Sequence, residues 1–580
     1  MKKKIRNLLI LSAVAILASC DNTSSQVLSN TTTSGGETTS VEETSSETTS
    51  VYTGKTNDDF ERAKTTYVDD FGNEQLLNMN TIYNNAGAPH NVDVPVEGEQ
   101  THVFVCPFGF KDSRYDNVEN HDNLERINKA FFGTDEEMAS VDGNLSVQSF
   151  YNHSSYGLNP FQGKMIPTWV EYDGTTDDFE DACGGSAGAY AANYAWKWYT
   201  SEYAKENHGA LGDLTNLDGT PYVPEAPSYY DGNNDGYVDL MWCVYSKPYV
   251  SGGLGNWWAY VTYTGAIAGT HLKPNVQTLA WASITFLDEG FNGYDTHTYT
   301  HETGHTFGLE DYYDYNKMWS CLGSVDYMDH NLGDHNSFSK FSFGWVKPLV
   351  VDDSAIITIN SFTNTGDCFL LPSPNYNGTA FDEYFLVELD GPTGICENDY
   401  KNGYNGTTGF KKPGIRVLHV DARVTRGDHD TYLADDPQNG NTFRIGNSKG
   451  GRSSVRSDGD YFLRDDGTKG YMSLLSMVES HVDPEENCTT TSTYNATSES
   501  LFAEGARLNF GSRYAWASTY MPSGTNLWNK AQKTTGWTDQ ETKTAETDTS
   551  ETIDFSLKVL SITGDSDNGY QAKVQVTYDK

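Results

Sequence analysis

The pattern of apolar and polar positions predicts a mixed helical and strand-forming segment in the middle of the chain. Residues 102–108 form a short apolar run rich in β-branched residues, which indicates a buried strand. Helical spacing of apolar residues predicts a helix over 124–132, and the Ala-, Tyr- and Trp-rich stretch 185–205 predicts a long helix that backs a sheet. We expect two further strands, at 237–245 and 278–287.

From residue 350 onward the pattern changes to apolar and polar alternation, interrupted by Gly, Asn and Asp turns. The predicted strands are 355–359, 384–389, 414–420, 553–559 and 571–578. This texture is typical of an all-β region of sandwich type. We therefore expect an α+β protein, with a mixed domain over residues 101–349 and a β-rich region over residues 350–580.

The start of the chain has the pattern of an export signal. Four basic residues lie within the first six positions, and an apolar run over 8–18 follows that is too short to span a bilayer. The run ends in Leu-Ala-Ser-Cys, with Cys20 last, which resembles the bacterial lipobox. The resemblance implies a signal peptide over 1–19, a lipid on the sulfur of Cys20 and an anchor at the extracellular face of a bacterial membrane. The alternative is simple cleavage near Ser19, which would release the protein.

Two polar segments separate this signal from the predicted domains. Residues 20–56 are almost wholly Ser, Thr, Glu, Asn and Gly, so we expect a disordered tether that bears no core. Residues 57–100 are mixed and polar, with Pro89 and Pro95, and predict a propeptide, a linker or a wrapping segment.

Composition narrows the classes of partner. The formal net charge is −41, from 39 basic and 80 acidic residues, which excludes a nucleic-acid partner because phosphate binding needs clustered Lys and Arg. The acidity fits a secreted protein that binds Ca²⁺, or it serves only solubility. The cysteines after Cys20 are scattered and odd in number, so they do not form a disulfide framework.

The candidate chemistry lies in the pattern His-Glu-x-x-His. His301 and His305 are four apart, so on a helix they share a face and can reach one zinc ion. Glu302 lies beside such an ion without needing to bind it, which suits a general base. Gly308 lets the helix end in a left-handed conformation, and the chain can then bring Asp311 back as a third, carboxylate ligand.

The longer spacing has a family meaning. His-Glu-x-x-His-x-x-Gly-x-x-His is the metzincin pattern, and here Asp311 stands where the last His usually does. The stretch from Gly304 to Asp314 resembles the immune inhibitor A family of secreted bacterial metallopeptidases, in which Gly-Leu-x-Asp recurs. The resemblance extends over residues 100–430 and implies a metzincin-like zinc peptidase catalytic domain over 101–349.

The function implied is that of a zinc-dependent endopeptidase that hydrolyses extracellular proteins or peptides, with a zinc-bound water as nucleophile. Glu302 would take a proton from the water and later give it to the leaving amine. An adhesin on the same scaffold is the alternative, but it should have lost Glu302 or a ligand. A second alternative keeps the zinc peptidase but has Glu310 or Asp314 as the third zinc ligand in place of Asp311. We expect a monomer. Either 278–287 or 258–264 is the candidate edge strand that binds substrate, and an interior strand is the open alternative for each.

Two residues after the zinc pattern have predicted supporting roles. Met328 would be the Met-turn methionine that packs beneath the metal. His335 would reach the cleft and stabilise the oxyanion, although a helix-capping or surface histidine is the open alternative.

A second metal site is predicted in an Asp- and Asn-rich turn before the strand at 237–245. Asp231, Asn233 and Asp235 place oxygen ligands at alternate positions, as in the first half of an EF-hand loop. The Glu expected at loop position twelve is absent, so Asp239 would have to close a Ca²⁺ site. The alternative is a polar turn without an ion.

Overall fold

The computed structural model describes residues 54–579 with internal gaps. The gaps are 69–71, 82–91, 95–99, 114–121, 159–160, 251–254, 290–292, 314–321, 375, 403, 405–408, 423–424, 427–442, 445–460, 464–468, 472–473, 481–495 and 510–552. The predicted signal peptide 1–19, the predicted lipidation site Cys20 and most of the predicted tether lie outside the described residues. The described residues belong to one compact unit, Gly54–Lys580.

The helices of the described part are short, apart from those that pack on the first sheet. They are α1 (Asp122–Phe132), α2 (Asp135–Ala139), α3 (Val147–Ser154), α4 (Thr176–Cys183), α5 (Ala187–Tyr203), α6 (Gly209–Gly212), α7 (His297–Thr306), α8 (Ser337–Phe343), α9 (Phe362–Thr365) and α10 (Glu397–Asn402). Among the described residues, no helix combines the length and apolar character that crossing a membrane requires.

The strands fall into several sheets. They are β1 (Thr66–Val68), β2 (Glu74–Leu76), β3 (His102–Gly109), β4 (Gln162–Met165), β5 (Val170–Glu171), β6 (Leu240–Tyr245), β7 (Tyr260–Tyr263), β8 (Thr278–Ser283), β9 (Leu349–Val350), β10 (Ala355–Asn360), β11 (Cys368–Pro372), β12 (Glu383–Asp390), β13 (Gly414–Asp421), β14 (Thr425–Arg426), β15 (Phe443–Arg444), β16 (Tyr461–Leu463), β17 (Lys469–Tyr471), β18 (Leu475–Val478), β19 (Arg507–Asn509), β20 (Phe555–Asp565) and β21 (Gly569–Tyr578). The predicted α+β class is confirmed.

The first sheet has the order β4-β3-β6-β8-β7, and β5 also pairs with β3. All its pairs are parallel except that of the edge strand β7 with β8. Parallel strands are covered on both faces, which explains the near-continuous apolar runs in β3 and β6. Side chains alternate between the faces: Trp281 of β8 packs in the core with α5, whereas Trp242 of β6 packs in the core with α7.

Two further sheets follow, with orders β18-β13-β12-β11-β9 and β10-β21-β20-β19. They share a core that includes Ile357, Val387 and Val574. The opposite face of β12 and β13, represented by Leu386 and Leu418, contributes to the same hydrophobic core as the first sheet. The strands at 355–360, 383–390, 414–421, 555–565 and 569–578 therefore agree with the sequence pattern, and the chain on both sides of residue 350 builds one core.

The described parts of residues 54–94 pack against the rest of the unit. The backbone of Lys55 forms an isolated β-bridge with that of Ala355. The Asn57 side chain exchanges two hydrogen bonds with the Thr358 backbone, at 2.7 and 2.9 Å. Further along, Met79 is buried in the core. The last residues assigned to the tether and the start of the segment 57–100 thus have ordered partners in the β-rich region.

The predicted strand 278–287 is longer than the strand in the structure. β8 ends at Ser283, whose hydroxyl accepts a hydrogen bond from the Thr285 N–H at 3.1 Å, and a 3-10 turn follows over Ile284–Asp288. Such a side-chain cap competes locally with the strand conformation. β8 is an interior strand, and β7, which lies within the alternative range 258–264, is one edge of the sheet.

Candidate metal centre

The helix α7 presents the candidate ligands because its other face is fixed to the first sheet. Tyr299 is fully buried, and its hydroxyl donates to the Ser283 carbonyl at 3.0 Å. Thr303 accepts a hydrogen bond from the indole N–H of Trp242 at 3.0 Å. These contacts set the rotation of the helix, so that His301 faces away from the sheet.

The chain leaves the helix as the glycine predicts. Gly308 has φ +88°, a left-handed conformation that other residues rarely adopt. The N–H of Leu309 returns to the Gly304 carbonyl at 3.1 Å and closes the helix end. The turn brings Asp311 back beside the helix, where it is only 5% exposed.

His301, His305 and Asp311 meet at one point. Asp311 Oδ1 lies 3.0 Å from Nε2 of His301 and 3.1 Å from Nε2 of His305. In the described part of the chain, this trio is the group whose His and carboxylate atoms all lie within 4.8 Å of one another. Two imidazole nitrogens and a carboxylate oxygen form a donor set that suits Zn²⁺ and leaves a fourth tetrahedral position open.

The backbone orients both imidazoles. Nδ1 of His301 lies 3.0 Å from the Tyr327 carbonyl oxygen, and Nδ1 of His305 lies 2.8 Å from that of Leu309. A carbonyl oxygen only accepts, so each Nδ1 donates and each Nε2 is directed at the common point. Outer contacts of this kind fix the ring orientation of metal-binding histidines. The donor atoms therefore fit a zinc ion without rearrangement of the histidines.

Glu302 lies next to this group and is 7% exposed. Burial lowers the pKa of His305, but the charges of Asp311 and, to a smaller extent, Glu302 outweigh burial and raise it to about 9. The carboxylate of Glu302 is thus close enough to influence the site, although it does not belong to the ligand trio.

Tyr313 is a neighbour of the centre to which the sequence reasoning gave no role. Its ring lies 6.5 Å from that of His301 and 5.0 Å from that of His330, between ring centroids. Burial, reinforced by the charges of Asp311 and Glu302, raises its pKa well above the usual value, so the phenol stays protonated as a donor. In the sequence, the signal that Tyr313 lies near the centre is its position two residues after Asp311.

Of the alternative third ligands, Glu310 is not part of the converging trio. Its charge instead adds to burial in raising the pKa of Tyr263 at the end of β7. Asp314 lies outside the described residues.

Met328 lies directly against the helix that carries the ligands. It is fully buried, and a Cβ added to Gly304 would lie 2.5 Å from its sulfur. The helix backbone and the methionine can approach this closely because Gly304 has no side chain. The structure thus places the Met328 sulfur against the helix that carries the candidate ligands, and the Met-turn role stays a prediction.

His335 does not occupy the cleft predicted for it. Its side chain is fully buried among aromatic rings, with centroids of Phe150 at 5.3 Å and Tyr151 at 5.8 Å. Neither ring nitrogen has a hydrogen-bond partner among the described residues. Burial, with the charge of Lys340, lowers its pKa well below the usual value. A buried neutral ring cannot reach an oxyanion, and the helix cap here is Asn336.

The turn 231–239 is closed by its own carboxylates. Asp231 accepts a hydrogen bond from the Gly236 N–H at 3.2 Å, and Asp239 accepts one from the Gly232 N–H at 2.8 Å. The carboxylates thus bind backbone N–H groups, and they do not converge as tightly as His301, His305 and Asp311 do.

Even so, this loop concentrates buried carboxyl groups. Asp231 is fully buried, and its Oδ1 has no hydrogen-bond partner in the described structure. Asn233 donates to the buried carboxylate of Asp93 at 2.5 Å. Burial, together with the charges of Asp231 and Asp235, raises the pKa of Asp239 to about 8 against the effect of its backbone hydrogen bonds. A cation would relieve this repulsion.

Comparison with known proteins supplies no relative: the scan against protein-family models gives no match, and neither does the search of curated proteins.

Proposed function

We propose that the protein is a zinc-dependent endopeptidase of metzincin type, similar to the immune inhibitor A peptidases. The observation that supports this most strongly is the convergence of two Nε2 atoms and one carboxylate oxygen, with both Nδ1 atoms bound to carbonyls. His301, His305 and Asp311 would hold the ion. When bound, Zn²⁺ would lower the pKa of a water and polarise the scissile carbonyl.

The residues of the chain would supply the remaining chemistry. Glu302 would accept a proton from the attacking water and donate it to the leaving amine. Its position on the helix between the two histidines keeps it beside the reacting atoms without occupying a ligand position.

The substrate would lie extended along β7. This strand is the antiparallel edge of the first sheet, and Tyr263 at its end lies near Glu310 of the ligand-bearing turn. An exposed edge can pair with a peptide through main-chain hydrogen bonds. The substrates would therefore be unfolded or loop segments of extracellular proteins, and the enzyme would be anchored to a membrane through Cys20.

Zinc dependence is the first expected result. Purified protein should cleave casein, lose the activity when a zinc-binding chelator is added, and recover it when Zn²⁺ is supplied in excess. The measurement is the rate of peptide release, alongside the zinc content of the same samples. Cleavage that persists in metal-free protein would contradict the proposed function.

We propose in addition that the loop 231–239 binds Ca²⁺ after local rotation of its carboxylates. With zinc saturating, added Ca²⁺ should raise the unfolding temperature, because the ion binds the folded loop and not the unfolded chain. A Ca²⁺ concentration of 100 times the dissociation constant would add about 2.7 kcal/mol to the free energy of unfolding. Asp235→Ala should abolish the calcium dependence, measured by thermal unfolding.

The matched control is Asp218→Ala. Asp218 is also a turn aspartate that accepts local hydrogen bonds, from Thr220, but it lies outside the loop. This variant should keep the calcium dependence. Identical unfolding of the wild type with calcium and with a calcium-selective chelator would refute the calcium site.

A further inference from the structure

The orientation of His301 depends on a segment with no regular structure of its own. Its Nδ1 donates a hydrogen bond to the Tyr327 carbonyl. Residues 322–336, which include Tyr327 and precede α8, form no helix or strand but only turns and bends. Met328, which packs beneath the helix, belongs to the same segment. The Met328 carbonyl accepts the Tyr312 N–H at 2.9 Å, and buried side chains supply further contacts that hold the segment.

Asp326 is the internal anchor of this segment. It is fully buried; its Oδ1 accepts the Met328 N–H at 2.9 Å, and its Oδ2 accepts the N–H and the side-chain amide of Asn336 at 3.1 and 2.8 Å. One carboxylate thus ties the Met328 turn to the start of α8.

Arg416, on β13 in the C-terminal β-rich region, holds the same segment from outside. Its Nη1 donates to the Val325 carbonyl at 3.2 Å, and the guanidinium forms an ion pair with Glu388, its cross-strand neighbour on β12. The other oxygen of Glu388 accepts the Ser337 N–H at 2.9 Å. The Arg416–Glu388 pair therefore contacts the segment at both ends.

Arg416 is the cation at the centre of a buried group of carboxylates. Arg416 is 4% exposed and Glu388 is fully buried. Asp390 Oδ2 lies 3.5 Å from Nη1 of Arg416. Burial opposes the charge, but the carboxylates of Glu388, Asp390 and Asp326 outweigh it and raise the pKa of Arg416, so the guanidinium stays charged. Its planar fork can bind a carboxylate and a carbonyl at once, which a lysine ammonium does with less directional control.

We infer that Arg416 is a positioning residue of the metal centre: through Val325 and Asp326 it fixes the backbone at Tyr327, whose carbonyl orients the imidazole of His301. The inference rests on the proposed function only in that it needs a zinc ion at the trio. It makes the C-terminal β-rich region a structural part of the catalytic centre.

The test compares Arg416→Lys with the wild type. Zinc release to a chromophoric chelator should be about 10–100 times faster in the variant, the range typical when an outer contact of a metal ligand is lost. The visible absorption of the Co²⁺-substituted protein should change, because it reports ligand geometry. For casein peptides, kcat should fall while KM stays near the wild-type value, because β7 is untouched.

His419→Gln is the matched control. His419 lies on the same strand, is also buried and is paired with a buried carboxylate, Glu383, at 2.9 Å, but its ring contacts Phe385 of the second core. This variant should lose stability without a change in zinc release or in the Co²⁺ spectrum. If both variants alter the spectrum equally, general loosening explains the effect and the inference is wrong.

Asp326→Asn keeps the test decisive if Arg416→Lys does not fold. It preserves shape and one acceptor but removes the charge that faces Arg416, so zinc release should again accelerate. Wild-type zinc release in either folded variant would overturn the inference. A wild type that binds zinc but cleaves nothing would refute only the peptidase, whereas a wild type that binds no zinc would refute both.

Discussion

Glu302→Gln should leave the protein loaded with zinc and lower its turnover of casein by about 10²–10⁴-fold, the usual contribution of general acid–base catalysis. Glutamine has nearly the same shape but cannot accept and return the proton. Zinc is retained because the ligand trio does not include Glu302. The measurements are kcat for casein peptides and zinc content on the same preparation.

Glu289→Gln provides the control for this change. Glu289 is a partly buried glutamate that precedes α7 in the chain, so its substitution removes a carboxylate without touching the trio. Its turnover should stay close to that of the wild type. Near-normal cleavage by zinc-loaded Glu302→Gln protein would exclude Glu302 as the base.

Asp311→Ala should remove activity and zinc retention together. Asp311 Oδ1 is the atom that both histidines face, and its loss leaves two imidazoles on one helix as the only ligands. The effect should exceed the roughly 10–100-fold cost of losing an outer contact. Asp311→His should recover part of both properties if the turn after Gly308 accommodates the ring. The measurements are zinc content after dialysis and the rate of casein cleavage.

Glu310→Ala is the control, because it removes the neighbouring carboxylate that lies outside the trio. Its zinc content should stay close to that of the wild type. Full zinc in Asp311→Ala combined with loss in Glu310→Ala would move the third ligand one residue upstream.

The parts of the candidate site that sequence reasoning located are those set by local geometry. His301 and His305 share a helical face because of their spacing alone, and Gly308 supplies the turn that returns Asp311. The strands β3 and β6 were predictable for a similar reason, since a parallel strand covered on both faces must be apolar throughout.

The parts that sequence reasoning missed depend on contacts between distant segments. Nothing near Arg416 in the sequence indicates that its guanidinium reaches Val325, 91 residues away. His335 was misplaced because a polar ring after the zinc pattern suggests catalysis, whereas Phe150 and Tyr151 from α3 enclose it. The order of β8 and β7 likewise follows from the topology of the sheet, which apolar patterning does not encode.

Anomalous diffraction at the zinc absorption edge, from crystals of the wild-type protein, tests the proposed centre most directly. We expect a zinc peak bonded to Nε2 of His301, Nε2 of His305 and a carboxylate oxygen of Asp311, each at about 2.0–2.2 Å. A zinc-replete crystal with no peak at these atoms, or with a peak bound by Glu310 or Asp314 in place of Asp311, would contradict it.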